Sequence, residues 1–250
     1  VLASPAMRNY LHTPSISEFS VYATTEPAAA ARIPQVGRGG KQFGMEASSF
    51  QQLGANSVVW GKASYQNGKK YDVTWNETSD FLLLYPYVMG DAKGGDQNYE
   101  SYRLDGGYST RHGKTCYGVD LGYRTLSEYR DRDPRPNNTV ADLYAQGGIG
   151  LNIWGSYSVA LTATAGKYKQ TNELAFYNEL GTQMVYHLTG IGNDFTRFSG
   201  QGKNCFYKGY SIGAEISMAS KETTGWSASA GYLFTRKEKV LTDLNRLPLN

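Results

Sequence analysis

The chain has 250 residues, among them 29 glycines and 20 tyrosines, and its formal net charge is +3. No stretch approaches the ~20 consecutive apolar residues that a spanning helix needs, so a helical membrane protein is excluded. The Lys and Arg residues are scattered rather than gathered in a stripe, so no nucleic-acid partner is predicted. Tyrosine is enriched in strands and at boundaries between apolar and wet surroundings, so the composition favours β-structure.

The first third of the chain alternates between irregular stretches and short strands. Residues 1–14 carry no regular pattern, and 26–40 is predicted to be a loop because it holds two prolines and a glycine cluster. Asn67-Gly68 is a strong signal for a tight hairpin turn. Period-two alternation predicts strands here at residues 15–24, 43–47, 59–65 and 71–75.

A long connection is predicted from Glu77 to Glu100. Its apolar run Phe81–Tyr87 is expected to be a packed loop segment or a short strand, because Pro86 argues against a central strand. From here the connections alternate between long loops and tight turns. The strands are predicted at residues 102–108, 116–124, 144–153, 157–165, 210–218 and 226–235, with loops at 131–138 and 167–204 and a turn at 221–225.

The strand Cys116–Arg124 guides the interpretation of the fold. Side chains alternate between faces, so an apolar face that ends in Tyr117 and Tyr123 opposes a face that carries Asp120 and Arg124. A soluble sheet buries its apolar face in a core, whereas a membrane-spanning barrel strand covers that face with lipid and lines a polar lumen. Alternating loop lengths favour the barrel, because a sandwich uses crossovers between its sheets.

We therefore predict an all-β fold, an antiparallel transmembrane β-barrel with about ten strands, in one domain over residues 1–250. No strand near the C-terminus ends in an aromatic residue that would close a barrel. The chain is accordingly expected to be incomplete and to form the N-terminal part of a larger barrel.

Five charged residues are expected to point into the lumen. They could select or conduct a solute, or they could neutralise one another across neighbouring strands and keep the lumen hydrated. The second interpretation is favoured, because a lumen charge tunes passage without proving it. The five are Arg103, Asp105, Asp120, Arg124 and Glu215.

The loop from Asp131 to Pro136 is a second candidate site. Arg135 stands between two prolines and, with Asp133 beside it, could present its guanidinium group to a carboxylate ligand. The alternative is a rigid turn whose carboxylates accept hydrogen bonds from backbone amides. The rigid turn is the favoured interpretation.

Metal, cofactor and catalytic sites have little support in the sequence. The three histidines are spread over the chain, so no metal site is predicted. A barrel-embedded hydrolase would need a serine and a histidine in mutual reach, and His187 with Ser199 is a conceivable pair. Cys116 and Cys205 could pair in an oxidising compartment, but their spacing alone does not show it.

An ordered set of short motifs resembles a known family. The motifs are Ser79–Val88, Gly94-Gly95-Asp96, Glu100-Ser101-Tyr102, Gly106-Gly107-Tyr108, Gly122-Tyr123-Arg124 and Asp133–Asn137. From about residue 5 to the end, the chain resembles Bacteroidota outer-membrane β-barrel proteins of a family of unknown function, whose members are larger barrels. The resemblance implies an outer-membrane location and a link to TonB-dependent receptors and surface lipoproteins, and it carries over no catalytic or ligand residues.

The leading hypothesis is a non-enzymatic outer-membrane β-barrel that binds no cofactor. It would be a channel or an accessory subunit of a TonB-linked assembly for uptake of a nutrient or metal. Its expected partners are outer-membrane lipid and a TonB-dependent receptor or surface lipoprotein. The alternatives are a soluble extracellular β-sandwich that binds carbohydrate or protein, and a barrel-embedded hydrolase.

Overall fold

The computed structural model describes residues 4–10, 14–27, 33–154, 156–177, 184–190, 192–196, 204–220, 225–241 and 245–249. In chain order its elements are the 3₁₀-helix η1 (Pro5–Tyr10), β1 (Ile16–Glu26), β2 (Gly39–Leu53), β3 (Ser57–Val73), α1 (Phe81–Leu84), β4 (Met89–Gly90), β5 (Gly95–His112), β6 (Thr115–Tyr129), β7 (Arg135–Trp154), β8 (Tyr157–Ala175), β9 (Tyr186–Gly190), β10 (Asn193–Asp194), β11 (Cys205–Ser220), β12 (Ser227–Leu241) and β13 (Asn245–Leu249).

Ten of these strands form one antiparallel sheet, in the order β1-β2-β3-β5-β6-β7-β8-β11-β12-β13. The three shortest strands form a separate sheet in the order β10-β9-β4. The all-β, antiparallel, ten-stranded prediction is therefore confirmed. In the described part of the chain, no helix is long and apolar enough to cross a membrane.

The connections between the sheet strands sort by length onto the two ends of the sheet. Residues 54–56 and 113–114 link strands at one end, which we call the short-turn end. The connections longer than ten residues all lie at the opposite, long-loop end, and they are residues 27–38, 74–94 and 176–204. This alternation is the pattern that the sequence predicted.

The two faces of the sheet differ in composition. We call the side that carries Leu121 the outer face and the side that carries Asp120 the inner face, and the space along the inner face, around which the sheet curves, the lumen. The outer apolar band comprises the outward residues Tyr117, Val119, Leu121 and Tyr123 of β6, Ile149 and Leu151 of β7, Val159, Leu161, Ala163 and Ala165 of β8, Ile212, Ala214, Ile216 and Met218 of β11, and Ala228, Ala230, Tyr232 and Phe234 of β12.

The predicted turn at Asn67-Gly68 is wrong. β3 runs through this dipeptide without interruption, and the reversal occurs instead at 54–56, where Gly54 has a φ of +75°. A Cβ atom on Gly68 would lie 2.6 Å from the ring of Tyr99. The glycine is therefore explained by close packing under an aromatic ring on the neighbouring strand, which is a second reason for glycine inside a strand.

Strand boundaries near the long-loop end also differ from the prediction. β7 begins at Arg135 and β8 continues to Ala175, so the connections shorten to 130–134 and 176–204. The strands continue past the apolar band with polar residues on both faces. These polar strand ends show no alternating hydrophobicity, so the sequence pattern did not predict them. The Phe81–Tyr87 run begins with the one-turn helix α1 in a packed connection. Of the predicted turn at 221–225, residues 221–224 lie outside the described residues.

Two segments occupy the lumen. Near the short-turn end, η1 packs against β3, β5, β6, β7 and β8, so it lies inside a sheet that curves around it. Near the long-loop end, side chains of the 74–94 connection form a buried cluster with residues from the inner face. This cluster consists of Leu84, Val88, Met89, Leu126, Val140, Tyr168, Val185, Cys205, Tyr207 and Leu241. The prediction that residues 1–14 are irregular missed η1, because six residues are too few to show a helical pattern.

Candidate functional site in the lumen

The helix η1 fills the lumen near the short-turn end. Ala6 and Met7 are fully buried, and the Ser109 hydroxyl of β5 donates a hydrogen bond to the carbonyl of Ala6 at 3.0 Å. A Cβ atom on Gly118 of β6 would collide with backbone atoms of Pro5 and Ala6. Glycine at this inward position therefore allows η1 to lie directly on the sheet.

A groove of about 450 Å³ lies beside η1 on the inner face. The Arg8 guanidinium group stacks over the ring of Trp60 at 4.3 Å and reaches Asp120 at 3.4 Å. Asp120 is 5% exposed. The polar residues that line the groove are Arg8, Glu18, Ser48, Ser49, Lys62, Arg103, Asp105, Asp120 and Tyr144.

Three cations of this groove, Arg8, Lys62 and Arg103, each have a carboxylate partner. The Arg103 guanidinium donates two hydrogen bonds to Asp105, at 2.7 and 3.1 Å, and the Tyr144 hydroxyl donates a third at 3.0 Å. Lys62 pairs with Glu46 at 2.8 Å. Opposite charges near water satisfy one another in this way at little net gain in stability. Arg103 and Asp105 pair within β5 and not across neighbouring strands, so neutralisation between strands and solute selection both stay predictions.

Arg124 has a different role from the charges of the groove. Its guanidinium binds both carboxylate oxygens of Asp80, just before α1, and lies 3.8 Å from Asp142 of β7. The Tyr168 hydroxyl also donates to Asp80, at 2.9 Å. Arg124 therefore ties the 74–94 connection to the sheet. Glu215 lies half-buried on the inner face of β11, and the structure does not bring it together with the other four predicted charges.

The 74–94 connection is held in the lumen by a buried ion cluster. Arg130, just after β6, donates through Nη2 to Glu77 at 3.0 Å, to Asp91 at 2.7 Å and to the carbonyl of Pro134 at 2.7 Å. The three charged side chains are at most 2% exposed. Asp91 also accepts hydrogen bonds from the backbone N–H groups of Lys93 and Gly94, each at 2.8 Å. Because one guanidinium group donates charge-assisted hydrogen bonds to both carboxylates, it fixes their positions relative to each other.

Amide side chains and a lysine add further anchors for the same connection. Asn138 and Asn172 donate to the carbonyl of Glu77 at 2.8 and 3.3 Å, and Asn172 also donates to Asn138 at 2.7 Å. Lys239 of β12 donates to the carbonyl of Val88 at 3.2 Å. Contacts from β6 through β12 thus converge on one connection, so this connection is an internal plug of the lumen.

The ion cluster places two carboxylates beside one guanidinium. Burial raises the pKa of Glu77 well above its usual range, the nearby Asp91 raises this pKa further, and Arg130 opposes both effects. Asp91 accepts three hydrogen bonds from N–H donors. Burial and the neighbouring carboxylate thus both favour the protonated form of Glu77.

At the second predicted site, Asp133 and Arg135 contact each other and Tyr177 of the 176–204 connection. Arg135 Nε donates to Asp133 at 2.7 Å, and the Arg135 guanidinium stacks on the ring of Tyr177 at 4.3 Å. The backbone N–H of Tyr177 donates to Asp133 at 2.8 Å. These contacts match the rigid-turn interpretation, and recognition of an external carboxylate stays a prediction.

The remaining candidates lie apart from the groove. No disulfide joins the two cysteines, because Cys116 contacts the Tyr10 hydroxyl near the short-turn end, and Cys205 contacts Met89 near the long-loop end. His187 is buried in β9, and Ser199 lies outside the described residues. Among the described residues, no three His, Cys, Asp or Glu side chains are grouped so that they could hold a metal ion.

Sequence reasoning missed the most strongly held residues of the lumen. Arg130 stands at the start of the 131–138 loop, and Glu77 and Asp91 lie at the two ends of the 74–94 connection. Since such residues are far apart in sequence and follow no period, alternation does not reveal them. Arg130 begins a run of charges that continues to Arg135, and nothing in the sequence singles it out from its neighbours.

One of three comparisons with known proteins places the chain in a family. A search of curated proteins found no match. Among solved structures, the chain is similar to the translocator domain of autotransporter NalP from Neisseria meningitidis, with 10% sequence identity, a TM-score of 0.32, and coverage of 96% of this chain and 82% of that chain. The model of a family described as "Family of unknown function (DUF6850)" matches residues 5–250. This match covers nearly the whole sequence, so the chain belongs to that family of unknown function.

Proposed function

We propose that the chain is a non-enzymatic component of the bacterial outer membrane, a β-barrel protein with a plugged lumen. One observation carries the proposal: over the length of the outer apolar band, the apolar side chains of the strands face outward and the charges face inward. Val119 is 52% exposed, Leu161 51% and Ile212 65%, whereas Asp120 is 5% exposed. An exposed apolar surface that continues over neighbouring strands marks a site of contact with lipid or protein.

The shape of the outer apolar band favours lipid over a protein partner. In β6 the band lies between Thr115 and Thr125 and has Tyr117 and Tyr123 near its two limits. Ten residue steps span about 33 Å along a strand, or about 25 Å across a membrane at the usual tilt. Aromatic residues at both limits are typical of membrane–water interfaces.

The ends of the sheet indicate an orientation. Outer-membrane barrels have short turns on the periplasmic side and long loops outside the cell. The strands extend past the band toward the long-loop end, where outward residues such as Lys41, Asp96 and Lys169 are charged. We therefore assign the long-loop end to the exterior.

The filled lumen favours an accessory subunit over an open channel. η1 occupies the short-turn end, and the internal plug of residues 74–94 occupies the long-loop end with buried charges and amides as anchors. The partner in this proposal is a TonB-dependent receptor or surface lipoprotein that takes up a nutrient or metal. The long connections at the exterior end are the surfaces available to it.

Membrane extraction and conductance test the two parts of the proposal. The chain should remain in the membrane fraction after washing with urea, require detergent for extraction, and migrate differently on a denaturing gel before and after boiling. In planar bilayers it should give no steady conductance of the kind an open pore produces. Recovery in the soluble fraction would refute the membrane assignment, and a large steady conductance would refute the plugged lumen.

A further inference from the structure

Outward-facing cations gather on the adjacent strands β8, β11 and β12, directly beyond the outer apolar band. Lys208 of β11 lies opposite Lys169 of β8, and Tyr210 lies between Lys167 of β8 and Arg236 of β12. The next row toward the short-turn end is wholly apolar and consists of Ala165, Ile212 and Phe234. The surface thus changes from apolar to cationic within one row of side chains, or about 7 Å along the strands.

This cationic surface, defined by Lys167, Lys169, Lys208 and Arg236, carries a surplus of positive charge. Arg236 pairs with Glu238 at 2.9 Å, and this one carboxylate also lies directly opposite Lys208 in the sheet, so four cations face a single anion. Among the ion pairs of the described residues, none involves the three lysines, all of which are exposed. Like charges directly opposite each other on neighbouring strands are destabilising. The Lys169–Lys208 pair is therefore a place where an external anion would stabilise the fold.

The cations lie on one side of the apolar band only. Toward the short-turn end, the outward residues of the described strands that border the band include no lysine or arginine. They are polar or aromatic, as Thr110, Thr115, Tyr157 and Ser220 show. An anionic ligand recruited by this surface must therefore sit at the interface nearer the long loops.

We propose that the cationic surface binds phosphate groups on the headgroups of lipids in the leaflet nearest the long loops. The acyl chains of such a lipid would cover Ile212 and Phe234, and its phosphates would meet the ammonium groups of Lys169 and Lys208. Long lysine side chains keep their stems on apolar surface and their charge in the headgroup region, and lysine binds phosphate as a point charge. The inference rests on the membrane assignment of the proposed function and adds a lipid class and a binding site to it.

Lipid binding to the purified full-length chain in detergent micelles tests this inference. Native mass spectrometry would compare lipid A that carries both phosphates with the same lipid after removal of its phosphates. The variant is Lys169→Gln/Lys208→Gln, and the charge-matched control is Lys93→Gln/Lys114→Gln, which removes two lysines away from the surface. Heat-dependent migration on a gel, measured on the same samples, reports whether the barrel itself has formed.

The wild-type chain and the control should prefer the phosphorylated lipid, and the Lys169/Lys208 variant should lose about fivefold of that preference, as expected for exposed ion pairs. An equal preference for the phosphorylated lipid in all three proteins, or no such preference in the wild type, would refute the lipid site. If heat-dependent migration persisted in that case, the membrane barrel itself would still stand. Inorganic phosphate at the same concentration should not displace the lipid. Displacement would overturn the lipid assignment in favour of a free-phosphate site. Loss of heat-dependent migration in the wild type would refute the proposed function itself.

Discussion

Asp120 and Leu121 are consecutive residues of β6, and the structure places them in opposite surroundings. The Asp120 side chain is 5% exposed and lies 3.4 Å from Arg8 in the lumen, whereas Leu121 is 58% exposed on the outer face. A soluble protein would reverse this arrangement, because burial of apolar surface is the main driving force of folding. The pair therefore supports the proposal that lipid covers the outer face.

The Leu121→Arg variant should be impaired in membrane insertion. A charge at the middle of the outer apolar band costs about 2–4 kcal/mol, whereas one near the interface costs about 0–1 kcal/mol. Ser127→Arg, on the same face of β6 but beyond the band, is the matched control. The measurement is the fraction of each variant that becomes resistant to urea extraction. Equal insertion of the two variants would contradict the assignment of the band.

The Arg130→Met variant should be strongly destabilised. Removal of the guanidinium leaves Glu77 and Asp91 buried without a cation, which costs about 3–5 kcal/mol for a broken buried pair. Arg135→Gln removes an exposed arginine paired with Asp133 and should change the stability by about 1 kcal/mol or less. Unfolding by urea in lipid vesicles measures both. A loss in Arg130→Met no greater than that in Arg135→Gln would show that the ion cluster does not hold the plug.

Stability should fall as the pH rises through the raised pKa of Glu77. In the folded protein this carboxyl keeps its proton above its ordinary pKa of 4.5, because it is buried beside Asp91. The folded state then binds more protons than the unfolded state, so the stabilisation is fully present below pH 4.5 and is lost as pH rises above the folded pKa. The difference in stability between the wild type and Glu77→Gln should follow the same pH range. A difference independent of pH would contradict the assignment of the proton to Glu77.

The Gly118→Ala variant should displace η1 from the lumen. An added methyl group would collide with backbone atoms of Pro5 and Ala6, and overpacking of this kind costs about 1–3 kcal/mol. Gly147 of β7 has open space around its Cβ position, so Gly147→Ala is the control. Limited proteolysis of the N-terminal segment should be faster in the first variant alone. Equal cleavage of both variants would argue that η1 is not packed on Gly118.

The sequence was informative wherever a pattern repeats along a strand. Alternation in 116–124 predicted which side chains point outward, and the loop lengths predicted the two ends of the sheet. The turn predicted at Asn67-Gly68 was wrong, because the same dipeptide can form a tight turn or place a glycine under an aromatic ring, here that of Tyr99. The charged groove was predicted in part, through Arg103, Asp105 and Asp120.

The plug was beyond the reach of pattern analysis. Arg130 contacts Glu77 and Asp91 across 53 and 39 positions of the chain, and such contacts form only when the sheet has curved. The short helix η1 could not be predicted from its sequence either, because packing on the inner face stabilises it and its own helix propensity does not. Tertiary packing decides both features, and period-two alternation carries no information about them.

Accessibility of a spin label at residue 121 measures directly whether lipid covers the outer face. In a Cys116→Ala/Cys205→Ala background reconstituted into bilayers, nitroxide labels would be attached at Leu121→Cys and at Ser127→Cys. If lipid covers the outer face, oxygen, which concentrates in hydrocarbon, should relax the label at 121. A water-soluble nickel chelate should relax the label at 127. A label at 121 that the nickel chelate relaxes, or that neither agent reaches, would show that lipid does not cover the outer face.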